Sequence, residues 1–293
     1  MSKMARLVRG EEQKTVVRLF EHLAERHARW TVWTDFVVMS AIAISNTVDS
    51  VHREAREKEY MTRASKYTKD ELQVFAEMLA ETVMALEVNP NQDFLGELYM
   101  NLGLGNEHAG QFFTPYDVCR CMAEITLPGI KEQIADKGWV GVSDCACGAG
   151  ATLIAAVNTA ISMKINFQTS MLIVAQDIDY VVASMCYLQL SLLGCAGYVV
   201  VDNSITNPST SYDKRGLIPV DNGNVWYMPM YFTGVWHWRR VWAGIGQLMD
   251  AAMPEASPAP AEEAPPIEEP PAIEPEPLIP EYAETEAGQL TFF

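Results

Sequence analysis

The chain has 293 residues, with 38 Asp and Glu against 21 Lys and Arg, a net charge of -17 and 49% hydrophobic residues. That is long enough for one sizeable domain or two small ones, and too apolar for a chain disordered throughout. The acidity does not exclude a polyanionic partner, because it is concentrated at one end: residues 251–293 hold ten Glu and no Lys or Arg, leaving residues 1–250 at -7 (28 acids against 21 bases).

From the start, the pattern is helical. Val16, Leu19, Phe20 and Leu23 recur at helical spacing, Thr34 and Asp35 are placed to cap a second helix through Ile44, and Leu72, Phe75, Leu79 and Val83 mark a third. Phe94, Leu95, Leu98 and Leu102 make a fourth, stopped by Gly103 and Gly105. These stripes predict a helical N-terminal subdomain over 1–109. After Gly110 the pattern alternates: apolar runs at Trp139–Val142, Met171–Ala175 and Tyr198–Val201 are separated by helical stretches at 151–163 and 181–193. That is the signature of a parallel α/β sheet, which binds ligands at the carboxyl ends of its strands. The aromatic segment Val225–Trp242 offers a fourth strand and a closing helix, with Arg239 and Arg240 among rings that suit a packed core, a partner surface or base stacking. Ten of the sixteen prolines follow it, so residues 251–288 read as a disordered, self-repelling linker.

No stretch approaches the roughly 18 apolar residues a membrane span needs, and the first residues lack a signal-peptide core, so the expected location is cytoplasmic, with no membrane partner. The pairs Cys119/Cys121 and Cys145/Cys147 are C-x-C, which favours packing thiols over a metal site.

The most informative segment is Asp144-Cys145-Ala146-Cys147-Gly148-Ala149-Gly150, between the first strand and a helix. Gly148 and Gly150 remove side chains where the chain turns, so a ligand can approach backbone N–H groups and the positive helix end, and an anionic group is expected there. Leu153 stands where a dinucleotide fingerprint has its third glycine, which disfavours NAD. At the second strand end Asp177 is placed to accept from ribose hydroxyls and Ile178 to lie against adenine; each acid also reads as a strand-end residue or helix cap. Thr114-Pro115 reads as a helix start, with Thr114 as cap.

Gly110-Gln111-Phe112-Phe113-Thr114-Pro115 followed by Asp144-x-Ala146-Cys147-Gly148-x-Gly150 resembles the N6-adenine DNA methylase family, in particular the modification subunits of bacterial type I restriction systems. The likeness runs from about Phe94 to Ser204. It implies a Rossmann-like methyltransferase domain over 110–250 that binds S-adenosyl-L-methionine and acts on DNA in a restriction-modification setting of bacterial or phage type, with a specificity or partner subunit. By that resemblance Phe112, Thr114 and Pro115 line the methionine end, Asp144, Gly148 and Gly150 hold the amino-acid moiety, Asp177 and Ile178 meet ribose and adenine, and Asn203 lies near the adenine ring. Cys145 and Ala149 replace the family's Pro and Ser, and Asp202 a glycine.

The family's catalytic N-P-P-[FYW], whose acceptors and ring hold the flipped base, does not occur. Asn207-Pro208-Ser209-Thr210 lacks the aromatic and reads as a loop turn, so no catalytic residue is assigned. Few residues remain before the tail, so the sheet reads as truncated. Two readings stay open: an adenine-N6 methyltransferase-like protein, or a non-catalytic homologue acting as a binding or regulatory subunit. The terminal Gln289, Leu290, Phe292 and Phe293 resemble the peptide by which bacterial DNA-processing proteins bind the replication sliding clamp.

Overall fold

The computed structural model describes residues 10–104, 113–252, 282–284 and 290–292. Residues 1–250 form one compact unit and 251–293 a second.

The first unit opens with five helices: α1 (Glu11–Ala24), α2 (Arg29–Ser45), α3 (Arg53–Ala64), α4 (Lys69–Val88) and α5 (Phe94–Asn101). Val16, Phe20 and Leu23 of α1 are buried with Phe75 and Met78 of α4 and Trp33 and Phe36 of α2, as their spacing predicts. α4 begins with a reciprocal capping box in which Thr68 and Glu71 satisfy each other's backbone N–H groups. α3 has no apolar stripe and escapes the sequence reading; it buries only Arg56 and Ala64. The predicted cap of α2 is also corrected. That helix begins at Arg29, and the buried Asp35 carboxylate accepts from Arg63, Lys66 and Tyr67. A carboxylate placed mid-helix on a buried face recruits side-chain cations from α3 and its C-terminal turn.

The α/β part follows: α6 (Tyr116–Thr126), α7 (Ile130–Lys137), β1 (Val140–Asp144), α8 (Ala151–Ser162), α9 (Phe167–Ser170), β2 (Met171–Asp177), α10 (Tyr180–Leu192), β3 (Ala196–Val201), β4 (Val225–Tyr227) and α11 (Gly234–Ala252). The sheet order is β1-β2-β3-β4, parallel through β3 and antiparallel at β4. The expected three strands, fourth strand and closing helix are thus present. The order advances in one direction, so β1 is an edge and no described strand lies beyond it. β2 is buried along nearly its whole length, whereas β1 alternates between partly and fully exposed residues.

Helices of the first hundred residues pack directly on this layer. Val38, Ala41 and Ile42 share a core with Ile154, Ile173 and Tyr187. Arg56 fixes the junction: fully engaged and buried, it donates to Asp49 (2.7 Å), to the Val225 carbonyl (2.7 Å) and to Ser45, and lies 4.1 Å from the Trp226 ring centroid. Among the described residues no helix is long and apolar enough to cross a membrane.

In the second unit, β5 (Tyr282–Glu284) and β6 (Leu290–Phe292) pair antiparallel. Residues 282–284 are therefore strand where the sequence predicts linker, the aromatic and apolar content of both segments favouring extended pairing over a solvated coil. Ala251 and Ala252, also in the predicted linker, are the last residues of α11, while 253–281 and 285–288, with Gln289 and Phe293, lie outside the described residues.

Removing Arg56 leaves Asp49 buried without its cation and the Val225 carbonyl without its donor. Arg56→Ala is expected to lower unfolding free energy by about 3–5 kcal/mol in urea denaturation; a loss below about 1 kcal/mol would show that the junction does not depend on this cation.

Candidate functional site

The glycine turn follows β1 directly. Gly148 (φ 55°) and Gly150 (φ 96°) both adopt left-handed conformations, and a Cβ on Gly150 would come within 3.0 Å of Cys186 Sγ, so this bend suits glycine on steric grounds. Its polar groups are tied inward. Gly148 N–H donates to Asp177 Oδ2 (2.9 Å), Cys147 N–H to the Gln176 carbonyl (3.0 Å) and Ala146 N–H to Asp144 Oδ1 (3.0 Å), while Thr152 Oγ1 donates to Asp144 Oδ2. The anion expected at this turn is therefore the protein's own: the Asp177 carboxylate occupies the Gly148 N–H. Asp179 caps α10 through Val181 and Val182, and its N–H donates to Asp177 Oδ1.

A cavity of about 190 Å³ opens over this turn, lined by Thr114, Asp144, Cys147, Gly148, Asp177 and Val182 among others. It adjoins a larger one of about 610 Å³ between α5 and the start of α6; Asp93, Phe113 and Thr114 line both. Among the described residues, the lining of the smaller cavity contains three carboxylates, Asp93, Asp144 and Asp177, and no Lys or Arg.

Of the predicted site residues, Thr114, Asp144, Gly148 and Asp177 come together in this crevice. Pro115 lines the adjoining cavity, and Gly150 shapes the turn beneath. Ile178 projects into solvent at 71% exposure and does not line the crevice. Asn203 caps its own loop, its Oδ1 accepting from Ile205 and Thr206 N–H. Phe112 lies outside the described residues. α6 begins at Tyr116 with no side-chain cap, which leaves Thr114 at the crevice wall instead of at the helix end. Asn207-Pro208 is a loop, as predicted, sewn to β2 by Gln176: its Nε2 donates to the Asn207 carbonyl and its Oε1 accepts from Ser209 N–H.

The residue that sequence reasoning missed is Asp93. It caps α5 by accepting from Gly96 N–H (3.0 Å) and also accepts from Gln189 Nε2 (2.8 Å). Its position immediately before the Phe94 stripe was the available signal. Burial pushes its carboxyl up to about 6, against the opposing effect of those two hydrogen bonds. Cysteines 119 and 147 are buried, and 121 and 145 exposed.

Residues 91–223 match the model of the N-6 DNA methylase family, a span that begins just before Asp93 and includes the whole crevice. This segment of the chain is thus similar to the N-6 DNA methylase family. Comparisons with curated proteins and with solved structures find no match. The family assignment accounts for the Thr114-Pro115 and Asp144–Gly150 segments meeting in one crevice although about thirty residues separate them in the chain.

Asp93 also gives the site a pH signature. With an unfolded value near 3.9 and a folded value of about 6, the folded chain binds more protons between these limits. Its contribution to stability is therefore complete below about pH 4 and is lost as pH rises through about 6. Asp93→Asn keeps both acceptor bonds and cannot ionise, so it should match wild type near pH 4 and exceed it at pH 7 by up to roughly 3 kcal/mol. Thermal denaturation across that range checks this; parallel curves would contradict it.

Proposed function

We propose that the crevice binds S-adenosyl-L-methionine and that the chain is an adenine-N6 DNA methyltransferase-like protein of a bacterial or phage restriction-modification type, built on a truncated Rossmann-like sheet. One observation carries the reading: a glycine turn at a strand end whose cavity presents, among the described residues, three carboxylates and no Lys or Arg, the adjoining cavity adding Arg120 beside Asp117 and Glu97. A phosphate-bearing dinucleotide would meet repulsion there. A ligand with an ammonium and a sulfonium is complementary to it, and the two adjoining cavities provide the space. When bound, this cofactor supplies an electrophilic methyl group.

The chain's own residues have positioning roles in this reading. Asp144, held by Ala146 and Thr152, presents its remaining lone pairs to the ligand's amino group; Asp93 supplies a second carboxylate from the opposite wall, and a cation beside it would favour its ionised form. Asp177, fixed by Gly148 and Asp179, faces the ribose hydroxyls. Phe113 stacks on Tyr99 (5.4 Å, 27°) and closes the apolar side. Orientation and desolvation of this kind supply much of the acceleration in a direct group transfer.

A second reading, a homologue that binds cofactor or DNA and serves as a partner subunit, is favoured by the state of the two asparagines near the third strand end. Asn203 Oδ1 is spent on its own loop, accepting from Ile205 and Thr206 N–H; Asn207 donates its Nδ2 to Asp202 and keeps its oxygen, but its Asn207-Pro208-Ser209-Thr210 turn carries no aromatic ring to stack a base.

Calorimetric titration with S-adenosyl-L-methionine is expected to show one site on the wild-type chain and at least tenfold weaker binding by Asp144→Ala. No heat of binding from a folded wild type would refute the cofactor reading. Transfer of labelled methyl to adenine in DNA then separates the enzyme from the binding subunit.

The terminal peptide is proposed as a sliding-clamp ligand, on the resemblance of Gln289, Leu290, Phe292 and Phe293 to that motif. Deleting 289–293 should abolish retention on immobilised bacterial clamp; equal retention of the truncated chain would reject the assignment.

A further inference from the structure

A second cavity, of about 440 Å³, lies between the loop joining α2 and α3, β4 and the beginning of α11. It shares no lining residue with the strand-end crevice. Its wall is a row of planar groups. His52 lies nearly parallel to Tyr227 (28°, 6.5 Å), Tyr227 to Tyr231 (16°, 5.2 Å), and the Arg240 guanidinium sits over Tyr231 at 4.3 Å.

The charges in this cavity are unequally committed. Asp49 accepts from the N–H groups of Val51 and His52 and from Arg56, and Asp221 accepts from the Tyr227 hydroxyl (2.8 Å) and lies 3.3 Å from His52 Nε2. Both carboxylates are thus engaged by donors of the protein. Arg240 forms no ion pair with a described residue; beyond its contact with the Tyr231 side chain, its Nε is buried without a hydrogen-bond partner among them. His237, exposed, lines the cavity near it. A guanidinium fixed on an aromatic face and lacking a counter-ion is a preorganised anion receptor, because its planar fork is already oriented. The adjoining ring edges carry partial positive charge, which suits the carbonyl and ring-nitrogen acceptors of a heterocycle.

We propose that this cavity binds a nucleoside monophosphate unit, its phosphate on Arg240 and His237 and its base against the edge of the Tyr227–His52 row. The volume lies within the usual range for a ligand of that size. The same chemistry is offered by a free nucleotide and by a nucleotide within a DNA strand, and the DNA methylase family makes both appropriate to this chain. The proposal does not depend on the strand-end crevice holding a cofactor.

The test titrates the full chain with dAMP, deoxyadenosine, inorganic phosphate and a short single-stranded oligodeoxynucleotide, with hydrogen exchange to locate the site. Saturable dAMP binding is expected, at least tenfold tighter than either fragment, with protection over 48–52 and 227–241. Arg240→Gln should weaken it tenfold or more and His237→Ala severalfold. His237 is exposed, so its variant keeps the test informative if Arg240→Gln fails to fold. Asp144→Ala should leave dAMP binding unchanged while losing S-adenosyl-L-methionine. Protection of the same segments by the oligonucleotide alone would identify a strand as the source. The proposal is overturned if neither dAMP nor oligonucleotide binds, if phosphate alone binds as tightly as dAMP, or if His237→Ala binds like wild type and protection falls elsewhere.

Discussion

The crevice depends on one buried amide. Gln189, on α10 and without solvent exposure, accepts from Leu95 N–H (3.0 Å) and donates both to Asp93 Oδ1 (2.8 Å) and to the Ala149 carbonyl (2.9 Å). One side chain thereby joins the start of α5, the glycine turn and the helix after β2. Each of those three elements contributes a wall of the cavity, and none is adjacent to another in the chain. A buried amide left partly unpaired costs about 1–3 kcal/mol, so the three walls hold their spacing together or not at all. The helices of the first hundred residues are in this sense part of the site, since α5 brings Asp93 and its fold is set by the core around Trp33, Phe36 and Tyr99.

Electrostatics then narrow what the crevice can hold. Glycine turns at helix N-termini attract anions through their N–H groups, and on that argument alone the site would be read as a phosphate receptor. Here the Gly148 and Ala146 N–H groups of the turn are already taken by Asp177 and Asp144, although the first turn of α8 has no side-chain cap. The turn's positive charge is partly offset from within, and the ionisable groups that face the cavity among the described residues are carboxylates. The local polarity is opposite to that of a dinucleotide site, although the backbone shape is similar. The second cavity has the reverse arrangement, its carboxylates engaged and its guanidinium open. Two sites of opposite preference on one compact unit fit a chain that handles a cationic cofactor and a polyanionic strand.

Legibility in the sequence followed periodicity. The βαβαβ run was readable because β1, β2 and β3 are short apolar stretches between long amphipathic or apolar helices, and the glycine turn because two glycines after an acid have few other uses. α3 was invisible: its sequence, Arg53–Ala64, is charged on every face, and it folds as a helix because Arg56 reaches through to β4 and Arg63 to Asp35. Periodicity cannot register a helix anchored by buried cations. Asp93 escaped for a related reason. Its role comes from Gln189, 96 residues away, and a cap that is also a pocket wall looks in sequence like any other cap. Ile178 erred the other way: adjacency to Asp177 suggested a ligand contact, but the side chain following an inward strand residue points outward.

The one-directional sheet separates binding from transfer. In a doubly wound sheet the ligand crevice forms where strand order reverses, with a wall on each side. Here β1 carries the glycine turn yet is the edge, so the crevice is walled by β2, α10 and α5 on one side, and the described residues place no strand on the other. Everything that fixes Asp144 and Asp177 lies on the walled side: Thr152, Gly148 and Asp179. In the proposed reading, the groups that would hold the cofactor therefore need nothing beyond β1. Holding an adenine amino group is different, because it requires acceptors and a ring close to the transferred methyl; Asn203 Oδ1 is engaged within its loop, Asn207 engages only its Nδ2, and the turn Asn207-Pro208-Ser209-Thr210 carries no aromatic ring. In the proposed reading the stacking ring that this turn lacks has to come from elsewhere in the chain or from a partner, which is the physical ground for the binding-subunit alternative.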